Sequence, residues 1–143
     1  MKDLLPILFA ISAGIFTALE TSINAKLGNI VTPIIATLHS LITGALIILI
    51  ANLLKGSLSQ YAQVIHVRPH LLIGGIFGTF IIYLVTKTMP KLGVATTLTI
   101  VVASEIICGL LIDAFITKQH EFDWLKLIGV ILLLCGTFFI ARK

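Results

Sequence analysis

Long apolar stretches separated by short polar segments dominate the pattern of this sequence. A helix needs about 20 apolar residues to cross a bilayer, and five segments reach or approach that length. The predicted membrane helices are Leu4–Ala25, Pro33–Leu54, Leu71–Thr88, Val94–Ile116 and Trp124–Ala141. No segment shows the alternation with a period of two that a membrane β-barrel requires. The pattern therefore predicts an all-α membrane protein, with residues 1–143 forming a single domain of five transmembrane helices.

Prolines and potential capping residues fall at the ends of these segments. Pro6, Pro33 and Pro69 lie in predicted first turns, where a missing N–H costs no hydrogen bond. Pro90 is predicted to lie just beyond the third helix. The predicted N-caps are Asp3, Thr32 and Asp123. The agreement between helix breakers, caps and hydropathy supports five helices.

The connections between the predicted helices are mostly short. Lys26–Thr32, Met89–Gly93 and Thr117–Asp123 leave room only for tight antiparallel hairpins. The longer loop Lys55–His70 has apolar residues at helical spacing, so it is either a short helix on the membrane surface or a solvated loop.

Composition excludes several classes of protein. Of 143 residues, 58% are hydrophobic and 11% are charged, against about 25% charged in a soluble domain. This excludes a soluble globular domain, a disordered chain and a secreted disulfide scaffold. The net charge of +4 comes from singly placed basic residues, which suit lipid headgroups and not nucleic acid. Cys108 and Cys135 lie in apolar runs and are interpreted as small buried hydrophobes, so no metal site and no cofactor is predicted.

The basic residues divide evenly between the two membrane faces predicted by five helices. One face holds Lys2, Lys55, Arg68, Lys118 and Lys126; the other holds Lys26, Lys87, Lys91, Arg142 and Lys143. Orientation in the membrane follows an excess of Lys and Arg on the cytoplasmic side. The even division is either a coincidence or a sign that the chain inserts in both orientations.

Acidic residues inside the predicted helices are the candidates for function, because charges at membrane depth are costly. Glu20 shares a helical face with Thr17 and Asn24, which recur at steps of three and four residues. Loss of water favours the neutral form of a carboxyl, so Glu20 could exchange a proton for a cationic substrate. The alternative is a structural hydrogen-bonding role.

Two further acids and one histidine lie in the predicted helices. Glu105 lies near the middle of the fourth helix and is equally consistent with a functional and a structural role. Asp113, near the end of that helix, fits an interfacial or capping acid better. His39, with Ser40 and Thr43 close by, is interpreted as a helix-packing residue. No motif for covalent chemistry is present, so an enzyme is not predicted.

Glycines in the fifth helix favour close contact with a neighbouring helix. Gly129 and Gly136 lie seven residues apart on one stripe. They are predicted to lie at a dimer interface, and packing within one chain is the alternative.

Two groups of motifs resemble the YdcZ-type, five-helix branch of the drug/metabolite transporter superfamily. The first is Ser22–Gly28 (SINAKLG) after the polar face of the first helix. The second is Leu92–Thr97 (LGVATT), followed by Val102–Glu105 (VASE) and Leu111–Phe115 (LIDAF). The similarity covers essentially the whole chain. The glycine pair of the fifth helix is also similar to the dimerising helix of the small multidrug resistance family.

The resemblance implies a minimal transporter of the bacterial inner membrane that works as a pair. Larger superfamily members have two inverted five-helix halves, so one chain would pair antiparallel with a second copy. In that branch glutamine is commoner at the positions of Glu20 and Glu105. Glutamate at both positions favours proton or cation involvement in this chain.

Together these observations predict a small secondary transporter of a small solute or cation, proton-coupled and acting as an antiparallel dimer. The predicted substrate and proton site comprises Glu20, Asn24, Thr17 and Glu105. The expected partners are the lipid bilayer, a second copy of the chain and a small-molecule substrate. The alternatives are a non-transporting membrane subunit and one half of a heterodimer with a paralogue.

Overall fold

The structure, a computed structural model, describes residues 4–112 and 124–142. In these ranges the chain forms α1 (Leu4–Ile30), α2 (Pro33–Lys55), α3 (Gly74–Leu92), α4 (Val94–Ile112) and α5 (Trp124–Ala141), and no strand. By length and composition, four spans could cross a membrane, and a shorter apolar segment, Ile128–Ala141, lies within α5. The all-helical architecture is therefore confirmed. Asp113 and the Thr117–Asp123 connection lie outside the described residues.

The first and third predicted helices continue beyond the boundaries that hydropathy suggests. Helix α1 extends past Lys26 to Ile30, so only two residues connect it to α2. A basic side chain ends an apolar stretch without interrupting backbone hydrogen bonds, which explains the difference. Pro90 lies inside α3 and not beyond it, because a proline in the last turn removes only one hydrogen bond. The helix ends at Leu92, before Gly93 at a φ of 83°.

Thr32 caps α2 as predicted. Its backbone is extended, with φ −157° and ψ 155°, because the residue before a proline disfavours the helical region. Its hydroxyl oxygen accepts a hydrogen bond from the Ile35 backbone N–H at 3.3 Å. Pro33 follows at the first helical position, where it sacrifices no bond. The other two predicted caps, Asp3 and Asp123, lie outside the described residues.

The loop after α2 contains helical structure of its own. Gly56 ends α2 in the left-handed conformation, and the nine residues Leu58–His66 form a 3-10 helix, followed by the single turn Pro69–Leu71. Tyr61 and Ile65 on the longer segment are largely exposed. The short-helix alternative for this loop is therefore confirmed, while its position at the membrane surface stays a prediction.

The chain divides into two compact units, Met1–Pro90 and Lys91–Lys143. In the first unit, α1 and α2 pack together and all the buried residues lie near one end of the helices. Those residues are Thr21, Asn24, Ala25 and Gly28 of α1, Ala36 and Thr37 of α2, and Val85, Thr86 and Met89 of α3. The first half of α1 and the second half of α2 contain no buried residue. This unit is therefore packed at one end and open at the other.

In the second unit α4 packs on α5. Its buried residues among those described are Thr97 and Ala103. Cys108 and Cys135 are free thiols and are exposed, so the prediction that they are buried was wrong. They lie on apolar helix faces that nothing in the described chain covers. The single-domain organisation of residues 1–143 stays a prediction.

Most of the apolar surface of the spans is uncovered. In the most apolar window of each of the four spans, only 6–11% is buried inside the chain. Large side chains such as Phe16 and Leu54 are mostly exposed. A surface of this kind needs lipid or another membrane protein around it.

Candidate functional site

The polar face of α1 crosses the boundary between the open and the packed end of the first unit. Thr17 and Glu20 are exposed, whereas Asn24 and Gly28, one and two turns further along, are buried. A helix brings residues three or four positions apart onto one face, which explains the stripe. Glu20 therefore lies at the rim of the packed region and Asn24 lies below it.

A side chain of α2 joins this stripe and completes a three-residue network. Ser40 Oγ donates to Glu20 Oε1 at 3.0 Å. Asn24 Nδ2 donates to Ser40 Oγ at 3.2 Å and to the same Glu20 oxygen at 3.5 Å. Because α1 and α2 are joined by a two-residue link, residues 24 and 40 lie at similar distances from the turn and face each other. We call Glu20, Asn24 and Ser40 the carboxyl site.

The donors and acceptors of the carboxyl site allow one consistent arrangement. Ser40 has a single proton, which goes to Glu20, so it must accept from the Asn24 amide. The Asn24 nitrogen faces the other two residues, and its oxygen Oδ1 takes no hydrogen bond from the described residues. The second carboxyl oxygen, Glu20 Oε2, is likewise without a partner in the part of the chain that the structure describes. Two acceptor oxygens are left open.

No basic group neutralises the Glu20 carboxyl within the described residues. Lys26 lies on α1 but is six positions further along and exposed. His39 precedes Ser40 on α2 and is also exposed, and its interpretation as a helix-packing residue stays a prediction. One residue step turns a helix by about 100°, which separates His39 from the face that carries Ser40. An ionised Glu20 would therefore lack a counter-charge.

Thr17 lies on the predicted face but has a different bonding pattern. Its hydroxyl donates to the Ala13 carbonyl of its own helix at 2.9 Å. Serine and threonine hydroxyls in membrane helices often bond this way. Thr17 retains acceptor capacity beside Glu20, and it is not part of the hydrogen-bond network.

Sequence reasoning named Ser40 only as a neighbour of His39 and missed its role in the site. The signal was a stripe of small residues on α2, in which Ala36, Thr37, Ser40 and Gly44 recur at steps of three and four. Small residues permit close helix approach, and the structure buries Ala36 and Thr37 on the helix that packs with α1. Ser40 lies one turn beyond them, level with Glu20 and Asn24.

Thr86 of α3 is a second residue that sequence reasoning missed. It is 1% exposed, and its hydroxyl has no hydrogen-bond partner among the described residues. A Cβ built on Gly28 would lie 2.9 Å from the Thr86 methyl carbon, so α1 and α3 approach closely there. Pro90 cannot donate to the Thr86 carbonyl, which removes one helical bond at the same residue. The buried Thr86 hydroxyl thus lies beside Gly28, one turn of α1 beyond Asn24.

The other predicted functional residues lie in the second unit. Glu105 of α4 is exposed, and its carboxyl makes no hydrogen bond with the described residues. Gly129 and Gly136 of α5 are both exposed, and a Cβ built on either would meet nothing within 4 Å. The stripe on α5 is therefore open and not used for packing within the described chain.

Comparison with known proteins identifies relatives of the whole chain. A family model described as "Putative inner membrane exporter, YdcZ" matches residues 5–139. The chain is 28% identical to Inner membrane protein YdcZ of Escherichia coli (strain K12), and the alignment covers 100% of this chain and 99% of that protein. No solved structure gives a significant match. The matched region includes the carboxyl site.

Proposed function

Because this chain belongs to the YdcZ family, we propose that it is a small secondary transporter that moves a small solute or cation across the inner membrane. The described chain has four helices long and apolar enough to span the bilayer, and the family description indicates an exporter and not an enzyme. The same prediction followed from the sequence motifs. The chain is accordingly a multi-pass protein of the inner membrane.

The carboxyl site is the observation that supports transport. Glu20 is held by donors from two helices, and no basic group pairs with it among the described residues. An intramembrane carboxyl in this situation needs either a proton or a cation. Proton and substrate then compete for one group, which is the simplest way to couple their movements. We therefore assign proton coupling to Glu20.

The hydrogen bonds suggest how binding of a proton or cation to Glu20 changes the contact between α1 and α2. The ionised carboxyl accepts from Ser40 and Asn24, which ties α1 to α2. A proton or a bound cation on the carboxyl weakens the hydrogen bonds that it accepts from these donors. Changes in charge at Glu20 would then alter the contact between the two helices. If the open end of the first unit moves when that contact changes, the site becomes exposed to each side of the membrane in turn.

We further propose that two copies assemble antiparallel. Three observations support this arrangement: the even division of basic residues, the open end of the first unit and the uncovered stripe of Gly129 and Gly136. A heterodimer with a paralogue is the alternative assembly, and a non-transporting membrane subunit is the alternative function. Transport by this chain purified without any paralogue would support the homodimer over both alternatives.

The test of proton coupling is flux through Glu20→Gln in proteoliposomes, measured as currents on a solid-supported membrane. Glutamine keeps the size and hydrogen bonding of the side chain but cannot exchange a proton. We expect Glu20→Gln to abolish proton-coupled flux while folding is retained, and Glu105→Gln to have a milder effect. The His39→Gln variant is the control, because it replaces an exposed imidazole next to Ser40 and leaves Glu20 unchanged. Full pH-dependent flux by Glu20→Gln would refute the assignment.

A further inference from the structure

Resting on the proposed transport function, we infer that the carboxyl site binds a compact cation with N–H donors, a primary ammonium. It would discriminate against quaternary ammonium ions, anions and neutral solutes. The inference concerns the class of substrate, which neither the family description nor the sequence motifs specify.

The first argument is the inventory of open hydrogen-bonding groups. The donors of the carboxyl site are used within it: the Ser40 proton goes to Glu20, and the Asn24 amide donates to both partners. What remains is the pair of acceptor oxygens Glu20 Oε2 and Asn24 Oδ1. An acceptor-only site matches a ligand that brings N–H donors, and a primary ammonium brings three.

The second argument is charge. Glu20 has no ion pair with the described residues, and the basic residue that shares its helix, Lys26, lies beyond the buried part of the stripe. A cation would supply the missing counter-charge, whereas an anion would meet the carboxylate with no donor available. A neutral donor would satisfy the oxygens but leave the charge uncompensated. The site therefore favours a cation over both.

The third argument is the depth of Asn24 and what lies below it. Asn24 is 5% exposed, and the close contact between Gly28 and Thr86 closes the space one turn further along. A ligand that reaches Asn24 Oδ1 must therefore be narrow at its charged end. A quaternary ammonium is wider and has no N–H, so it would bury the amide oxygen without a partner, which costs binding free energy.

The test uses two measurements on the full-length protein with methylammonium, tetramethylammonium, formamide and acetate as probes. Calorimetry in detergent measures binding, and solid-supported-membrane currents measure transport. For the wild type we expect methylammonium to bind and to be transported at least tenfold better than tetramethylammonium. Proton release should accompany its binding if proton and cation compete for Glu20, as the proposed function requires. Formamide and acetate should show neither binding nor current.

A matched pair of variants tests the role of Asn24 in binding. Asn24→Leu removes the acceptor oxygen Oδ1 and should weaken methylammonium binding about ten- to a hundredfold, the effect of one hydrogen bond to a charged group. Ser22→Ala, on the same helix, removes a half-buried hydroxyl that donates only to the Ala18 carbonyl at 2.6 Å, and binding should be unchanged. The wild-type probe panel decides the inference even if Asn24→Leu does not fold.

The outcomes separate this inference from the proposed function. Equal binding and transport of methylammonium and tetramethylammonium would overturn the substrate class, as would transport of acetate or formamide alone. Either result would leave the proposed transport function standing. Methylammonium binding without any current would support the site and refute transport. Neither binding nor current with any probe would refute the inference.

Discussion

Ser40 and Glu20 lie 20 positions apart in the sequence and on different helices, yet their side chains are hydrogen-bonded at 3.0 Å. The same serine accepts a bond from Asn24, so one hydroxyl connects both polar residues of α1 to α2. This places the candidate coupling carboxyl at the contact between two helices and not on a surface that faces only lipid. We therefore expect a change in its charge to alter the association of the two helices.

We predict that Ser40→Ala weakens the association of α1 with α2. Hydrogen bonds between membrane helices contribute about 0.6 to 2 kcal/mol, so unfolding in detergent should become easier by that amount. Ser40→Thr keeps the hydroxyl and should restore most of the loss. The control is Thr43→Ala on the same helix, whose hydroxyl bonds only to the His39 carbonyl. Equal stability of the Ser40→Ala and Thr43→Ala proteins would contradict the role of the contact.

The close approach at Gly28 predicts that the effect of a glycine-to-alanine substitution on stability depends strongly on its position in α1. An alanine Cβ at Gly28 would lie 2.9 Å from the Thr86 methyl carbon and 3.3 Å from the Pro33 Cα, which is backbone and cannot rotate away. Overpacking of this kind costs about 1 to 3 kcal/mol, so Gly28→Ala should lower the thermal midpoint. The second substitution Thr86→Ser removes the methyl and should recover part of the loss.

Gly14→Ala is the matched control for Gly28→Ala. Gly14 lies on the same helix, and a Cβ there meets nothing within 4 Å. Alanine is the better helix former by about 1 kcal/mol, so this variant should be neutral or more stable. Similar effects of both substitutions would show that helix propensity, and not the Gly28–Thr86 contact, determines stability.

The open glycine stripe on α5 predicts that larger side chains at these positions weaken dimerisation. Leucine at Gly129 and Gly136 would keep two helix backbones apart if they meet there. Single-molecule photobleaching in bilayers should then show more monomer for the double variant. Because the described chain places nothing against these glycines, folding of the monomer should be unaffected. An unchanged dimer fraction would place the interface elsewhere.

The even division of basic residues predicts insertion in both orientations. Reporter fusions to the C-terminus should be active on both sides of the membrane. Adding two or three lysines beside Arg142 should lock one orientation, because orientation follows the excess of positive charge. A wild-type reporter active on one side only would argue against dual insertion and against the antiparallel homodimer.

The helices and the polar face of α1 were predictable from the sequence, because both depend on local rules. The apolar lengths indicated five helices, and the Thr32–Pro33 pair indicated where α2 begins. The repeat of Thr17, Glu20 and Asn24 indicated a shared face. Hydropathy did not indicate that α1 continues to Ile30 or that Pro90 lies within α3. It responds to the polarity of side chains, whereas helix ends depend on backbone hydrogen bonds.

The sequence by itself therefore determined the class of protein, the approximate spans and the carboxyl to suspect. The tertiary structure alone decided that Ser40 completes the carboxyl site and that Gly28 meets Thr86. It also decided that the Thr86 hydroxyl is buried without a partner in the described part of the chain. A serine or threonine in an apolar helix has the same local sequence signal whether it faces lipid, its own backbone or another helix. Only the packing of α1 with α2 and α3 selects among these environments, because it brings together residues far apart along the chain.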